Sequence, residues 1–133
     1  MADGRSPYIL VLSLREDLRD QSAWKDEERQ AVRAHFEMLQ REAKAGRMLL
    51  AGRSDDRDQE GRLHHDVIGI GVFFADSREE AERFVANDPA VLAGVMRVRV
   101  HPSISPSMPT RRCGRLCDNS IRGTRDGLCE LLL

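Results

Sequence analysis

VIGIGVFFADSREEAERFVANDPAVLAGVMRVRV, residues 67–100, reads as a strand, a helix, a break and a second strand. Val67–Phe74 is a run of β-branched and aromatic residues with the length of a buried strand. Ser77 then opens a helix, and Glu80 stands three residues on, the spacing of a capping box. Ala81, Phe84 and Val85 form the inward face of that helix. The pattern stops at Asn87-Asp88-Pro89, and Gly94 ends the short segment that follows. Val95–Val100 alternates apolar and polar residues and reads as the closing strand. A carboxylate and a proline spent on a break just before the last strand ask for a reason.

Working outward, the segments before residue 67 supply the other half of a repeated pattern. Tyr8–Leu14 is a short apolar run with both faces apolar. A polar loop follows, and then a helical pattern to about Ala45, with Val32, Phe36, Leu39 and Ala43 on one stripe and Gly46 as its stop. Met48–Gly52 reads as the second strand, joined to the third by the charged, turn-rich SDDRDQEGRLHHD. The order β-α-β-β-α-β predicts an α+β, ferredoxin-like domain over residues 5–103. Right-handed crossovers put both helices on one face of an antiparallel sheet. The other face then carries apolar side chains from Tyr8–Leu14 and from Val67–Phe74, with Ile68, Ile70, Val72 and Phe74 expected on one side and Val67 and Phe73 on the other. Such a face needs a cover, and a second copy of the sheet is the simplest, so a homodimer through the sheet face is expected.

Composition bounds the function. The 133 residues carry 32% charged and 41% hydrophobic side chains with a net charge of −1, which fits one globular domain. There is no basic excess for nucleic acid, and six aromatics are too few for a base-stacking platform. The opening MADGRSPYILVLSL has an apolar run too short for a secretory segment, and nothing reaches the length of a membrane span, so a cytoplasmic location is expected. Cys113, Cys117 and Cys129 all fall in a region rich in proline, serine, glycine and arginine, and residues 104–133 read as a disordered C-terminal extension. Their spacing matches no structural zinc pattern. His64 and His65 sit in the charged connection, where solvated histidines are commoner than metal ligands. No nucleophile elbow, phosphate loop or dinucleotide fingerprint occurs, and no cofactor or metal is implied.

Two residues stand out for chemistry. His35 flanks the apolar stripe of the first helix, and Asp88 falls in phase with Ala81, Phe84 and Val85. Both therefore project to the same side of the helical layer, as a His–Asp pair requires. In such a pair the carboxylate orients one ring nitrogen and leaves the other free to move protons. A plainer reading also holds: Asp88 as N-cap, Pro89 at the first helical position and Gly94 as the stop make an ordinary short helix. His35 would then be a helix-edge histidine. A carboxylate can do both, capping with one oxygen and holding a histidine with the other.

The pieces YILVLSL, Trp24 with the EE that follows, HFEMLQREAKAGRMLLAG, IGIGVFFADSREEAERFVANDPAVLAGV and a closing strand ending in HP resemble the YCII-related (YciI-like) family over about residues 7–102. The pairing of HFxxL with NDPxxxAG carries the likeness. It implies a dimeric α/β-barrel fold, and it implies that His35 and Asp88 are the active-site pair. Activity described in that family is dehydrochlorination of a chlorinated hydroxyquinol, and the fold is shared with muconolactone isomerases. The long connection with His64 and His65, and the extension, depart from the family pattern.

The resulting expectation is a cofactor-independent lyase or isomerase for a small metabolite, with His35 as general acid/base and Asp88 fixing its tautomer. Trp24, Arg97 and Arg99 are candidate substrate contacts. Trp24 also reads as a staple onto the core, and the two arginines as exposed strand residues. The alternatives are a non-catalytic ligand-binding or regulatory module and a structural dimerisation domain whose tail holds a partner.

Overall fold

Buried and open positions alternate along the first strand, β1 (Ser6–Leu14): Tyr8, Leu10, Leu12 and Leu14 are buried, while Ile9 is exposed and Val11 and Ser13 are half-buried. That period of two defines the layers. The computed structural model describes residues 4–104. The extension expected beyond the domain, with its three cysteines, lies outside them apart from Ile104.

Two single 3-10 turns (Glu16–Leu18 and Gln21–Ala23) follow β1 and lead into α1 (Asp26–Lys44). Asp26, Glu27 and Glu28 in its first turn and Arg41 and Lys44 in its last complement the helix dipole. Gly46, at φ 77°, turns the chain out of the helix. Strand β2 (Met48–Arg53) comes next, then a long connection, β3 (Gly69–Ala75) and α2 (Arg78–Ala86). The Ser77 hydroxyl accepts from the Glu80 backbone N–H at 3.1 Å, while the Glu80 carboxylate reaches back to the N–H of Asp76 at 2.6 Å. Helix α3 (Pro89–Leu92) and strand β4 (Met96–Pro102) complete the domain. Phe84 of α2 stacks on Phe73 of β3 with ring centres 4.1 Å apart, which fixes that helix on the sheet.

The sheet order is β2-β3-β1-β4 with every neighbouring pair antiparallel, the ferredoxin-like arrangement expected from the sequence. The expected barrel is not there. The four strands form an open sheet whose end strands, β2 and β4, do not pair with each other. Four strands are too few to close, since small barrels need about eight. On the face away from the helices Leu50 is 46%, Ile70 50% and Ile9 37% exposed.

Two local irregularities shift which side chains face inward. Ile68, expected beside Ile70, is buried in the core. Its N–H donates to the Leu12 carbonyl at 2.7 Å while Gly69 is the residue paired with Leu12. Two residues thus oppose one, and Ile68 turns inward with its neighbour. On β2 the register shifts between Met48, paired with Phe73, and Leu50, paired with Val72. The extra residue reverses the parity of everything after it, so that Ala51 and Arg53 fall on the helix side opposite Gly71 and Gly69.

Candidate functional site

The break after α2 builds the site. Asp88 is no longer helical (φ −61°, ψ 128°), and its side chain caps α3: Oδ1 accepts from the Ala90 backbone N–H at 2.8 Å. Pro89 takes the first helical position, where no N–H is needed. Gly94 ends the segment with φ 71°. The remaining oxygen, Oδ2, lies 2.6 Å from Nδ1 of His35 on α1. Capping and pairing are therefore simultaneous, one oxygen for each. His35 and Asp88 are 2% and 3% exposed, the only buried polar or charged side chains among the described residues.

The chemistry of the pair follows from the two acceptors on Asp88. An ionised carboxylate can only accept, so Nδ1 of His35 carries its proton toward Oδ2. In the neutral ring Nε2 then holds the lone pair. It makes no hydrogen bond among the described residues, and His35 lines a cavity between α1 and the sheet. The orientation suits a residue that takes a proton at Nε2 and returns it. A carboxylate so placed would stabilise an imidazolium formed at that ring.

The cavity owes its existence to missing side chains. Gly69 and Gly71 of β3 sit opposite Leu12 and Leu10, on the face that α1 covers, where larger residues would fill the space. A Cβ on Gly69 would also lie 2.9 Å from the Gly52 carbonyl, so the approach of β2 to β3 excludes one there. Val32, Phe36 and Leu39 of α1, Met48 of β2 and Met96 of β4 supply apolar walls. Leu63 closes the remaining side and is 1% exposed. Its backbone is tied to the first loop: its N–H donates to the Arg19 carbonyl at 2.9 Å, and Arg19 Nε donates to its carbonyl at 2.8 Å. Asp58 secures the same loop, accepting from Arg19 at 3.1 Å, from Arg62 Nε at 2.8 Å and from the backbone N–H groups of Glu60 and Arg62. Burial pushes the Asp58 carboxyl up, but the Arg62 guanidinium and the backbone N–H groups of Arg62 and Glu60 outweigh it and hold the group below its ordinary 3.8. The cavity volume is about 40 Å³. That is room for about two water molecules, well short of the roughly 300–1,000 Å³ of ligand pockets. A molecule much larger than water could reach Nε2 only if part of this lining gave way.

The other candidates divide. Trp24 is half-buried and lines the cavity, with its indole N–H donating to the Leu18 carbonyl at 2.6 Å, so it is both wall and anchor. Arg97 and Arg99 pair with Ser13 and Val11 on the open face of the sheet, on the far side from His35. Both are exposed, and neither lines the cavity. His64 is exposed and stacks on His65, whose Nε2 is 3.3 Å from Asp66. Among the described residues no three His, Cys, Asp or Glu side chains gather as they would around a metal ion. No helix there is long and apolar enough to cross a membrane. Sequence reasoning missed Leu63 and Arg53, both of which line the cavity. Leu63 had a signal, being the one apolar residue in SDDRDQEGRLHHD. Arg53 had none, because its facing depends on the register shift in β2.

The profile of the YCII-related domain matches residues 9–103. A comparison with curated proteins finds no match. Among solved structures the chain is similar to 5-chloro-2-hydroxyhydroquinone dehydrochlorinase from Burkholderia phenoliruptrix AC1100, determined in complex with 2,5-dihydroxybenzoquinone. The TM-score is 0.52 at 17% identity, over 74% of this chain and 93% of that one. It is also similar to a hypothetical Arabidopsis thaliana protein solved in solution, with a TM-score of 0.39 at 15% identity over 80% of this chain and 95% of that one. At such identity the first likeness speaks for the fold, and the second is too low to carry an argument. The family match spans most of the chain and contains both halves of the buried pair: the chain belongs to the YCII-related domain family.

Proposed function

We propose that this protein is a cofactor-independent lyase or isomerase in which His35 moves a proton to and from a small metabolite and Asp88 holds its ring. The observation that supports this most is the 2.6 Å contact between Nδ1 and Oδ2, in a place where both groups are almost wholly buried. Burying a polar pair costs free energy that an apolar pair of the same volume would not. The cap on Ala90 accounts for one oxygen of Asp88, but a cap alone needs no histidine. A base aimed into an apolar cavity is what proton abstraction requires.

Elimination of hydrogen chloride is one reaction such a site could run. One proton goes to the base and chloride leaves with the bonding pair, so the step balances without an oxidant. The structurally similar enzyme is named for that reaction. Isomerisation needs the same base, with the proton returned to another carbon. We also propose that a second copy of the chain covers the open sheet face, because Leu50, Ile70 and Ile9 would otherwise stay wet.

The test is turnover. Wild type and His35→Gln are incubated with 5-chloro-2-hydroxyhydroquinone and with a panel of small unsaturated lactones, following chloride release and ultraviolet absorbance. Loss of turnover by about 10²- to 10⁴-fold in His35→Gln supports the proposal. Turnover that survives the substitution refutes the role of His35. Saturable binding without turnover makes the protein a binding module instead.

A further inference from the structure

We propose that Arg53, at the mouth of the His35 cavity, anchors an anionic group, and that the substrate is a small, largely apolar acid. The inference rests on the reading of the cavity as the substrate site and adds to it the chemical class of what it takes. Three observations lead there.

The first is placement. Arg53 is the last residue of β2 and is paired with Gly69, whose own partner across β1 is Leu12. It therefore stands on the helix side of the sheet, beside a residue with no side chain, and it lines the cavity. The register shift earlier in the strand is what put it there; without the shift it would face the open side with Ile70. The second is availability. Arg19, Arg57 and Arg62, which belong to the loops around the cavity, are paired with Asp58, Asp55 and Glu60. Arg53 is exposed, and its side chain makes no hydrogen bond or ion pair among the described residues. The third is the contrast with the walls. Besides His35, the polar side chains lining the cavity are Gln21, Trp24 and Arg53. Trp24 has spent its N–H on Leu18, and the Gln21 carbonyl oxygen accepts from Arg57.

A ligand in this cavity thus meets one proton carrier at the buried end, apolar walls along its body and one fixed positive charge at the mouth. With a neutral imidazole the pair carries the charge of Asp88, so an anion is disfavoured at the inner end. The negative group of the ligand belongs at the outer end, where a planar guanidinium can take a carboxylate or phenolate in a bidentate grip. A neutral or cationic metabolite would leave Arg53 without a partner and would gain nothing from it.

Binding of benzoate and its neutral isostere benzamide, followed by chemical shifts of the ¹⁵N-labelled full chain, tests this. Wild type should bind benzoate about 10- to 100-fold more tightly than benzamide, with the largest shifts at Phe36, Ala51 and Gly71. Arg53→Gln should erase that preference while leaving benzamide binding unchanged, and Arg53→Lys should keep part of it. Arg53 is exposed and unpartnered among the described residues, so neither variant should lower the melting temperature, and unchanged melting marks any lost preference as local. Arg97→Gln, on the other face, should behave as wild type. Equal affinity for the two probes in wild type, binding of neither, or a preference that survives Arg53→Gln overturns the proposal. Failure of the acid–base reading looks different: turnover that persists in His35→Gln, with the charge preference intact.

Discussion

Asp88→Asn is the sharpest test of the pair, because it changes one atom and no shape. Both oxygens of Asp88 accept: Oδ1 from the Ala90 N–H at 2.8 Å and Oδ2 from His35 Nδ1 at 2.6 Å. An asparagine offers one acceptor and one donor to the same two positions. The backbone amide of Ala90 cannot give up its proton, but an imidazole can move its proton to the other nitrogen. The asparagine oxygen should therefore keep the cap, and its amide should donate to Nδ1, driving His35 to the tautomer protonated at Nε2. Stability should change little, since Asn caps about as well as Asp. Exchanging a charge-assisted bond for a neutral one costs about 1 kcal/mol. Asp88→Ala is harsher: a lost cap of about 1 kcal/mol adds to about 1–3 kcal/mol for a buried N–H without an acceptor. At about 4–8 °C per kcal/mol for a domain of this size, its melting temperature should fall by at least roughly 8 °C. The readout is a long-range ¹H–¹⁵N correlation of the histidine rings, at a pH where His35 is neutral. In wild type the nitrogen without a proton should be Nε2, and in Asp88→Asn it should be Nδ1. Any turnover should fall with the tautomer, although the fold survives. If wild type already carries its proton on Nε2, or if the two spectra coincide, Asp88 does not orient the ring and the reasoning fails.

Three further outcomes are expected. Leu63→Ala should cost about 2–4 kcal/mol, because the side chain is 1% exposed and its loss leaves space beside the cavity it lines; thermal denaturation measures the loss. Asp58 is held below its ordinary 3.8, so the stability it lends is present above that pH and disappears as pH falls through its lower folded value. The difference in melting temperature between wild type and Asp58→Asn should close on acidification below 3.8 and stay constant above it. Ile70→Glu, placed at the centre of the open face where Ile70 is 50% exposed, should convert a dimer in sedimentation equilibrium into a folded monomer, whereas a wild-type monomer at micromolar concentration would remove the case for a covered face.

Element order and sheet arrangement were legible because each strand and helix carries its own period and stop. Ser77, Gly46 and the Asp88-Pro89 break all act where the sequence places them. Closure of the sheet was not legible, since it was implied by a resemblance and not by any property of four strands. The inward stripe of α1 was partly misjudged. Ala43 stays exposed, while Met38 and His35 are buried, His35 at the centre of the stripe and not at its flank. The phase that located Asp88 extrapolates a helix beyond its last residue, Ala86. Its success came from the cap on α3, which turns the carboxylate inward for a different reason. Arg53 shows the limit most clearly. A single extra residue in β2 reverses its facing, and no local pattern in MLLAGR announces it.

That one carboxylate serves both the cap and the histidine has a consequence for how the site resists change. The cap holds α3 in place, and α3 packs against both α1 and β4. Small changes at position 88 that keep an N-cap, such as serine, should preserve the fold and lose the ring contact, because the shorter side chain reaches Ala90 but not His35. Substitutions on the histidine side leave the cap intact: His35→Gln removes the base while Oδ1 still accepts from Ala90. The cap therefore does not need the histidine, although it uses the aspartate. A purely structural account explains Asp88, Pro89 and Gly94 in full, yet it leaves a buried imidazole beside an apolar cavity with no task. The proton transfer at Nε2 proposed above would give that imidazole a task.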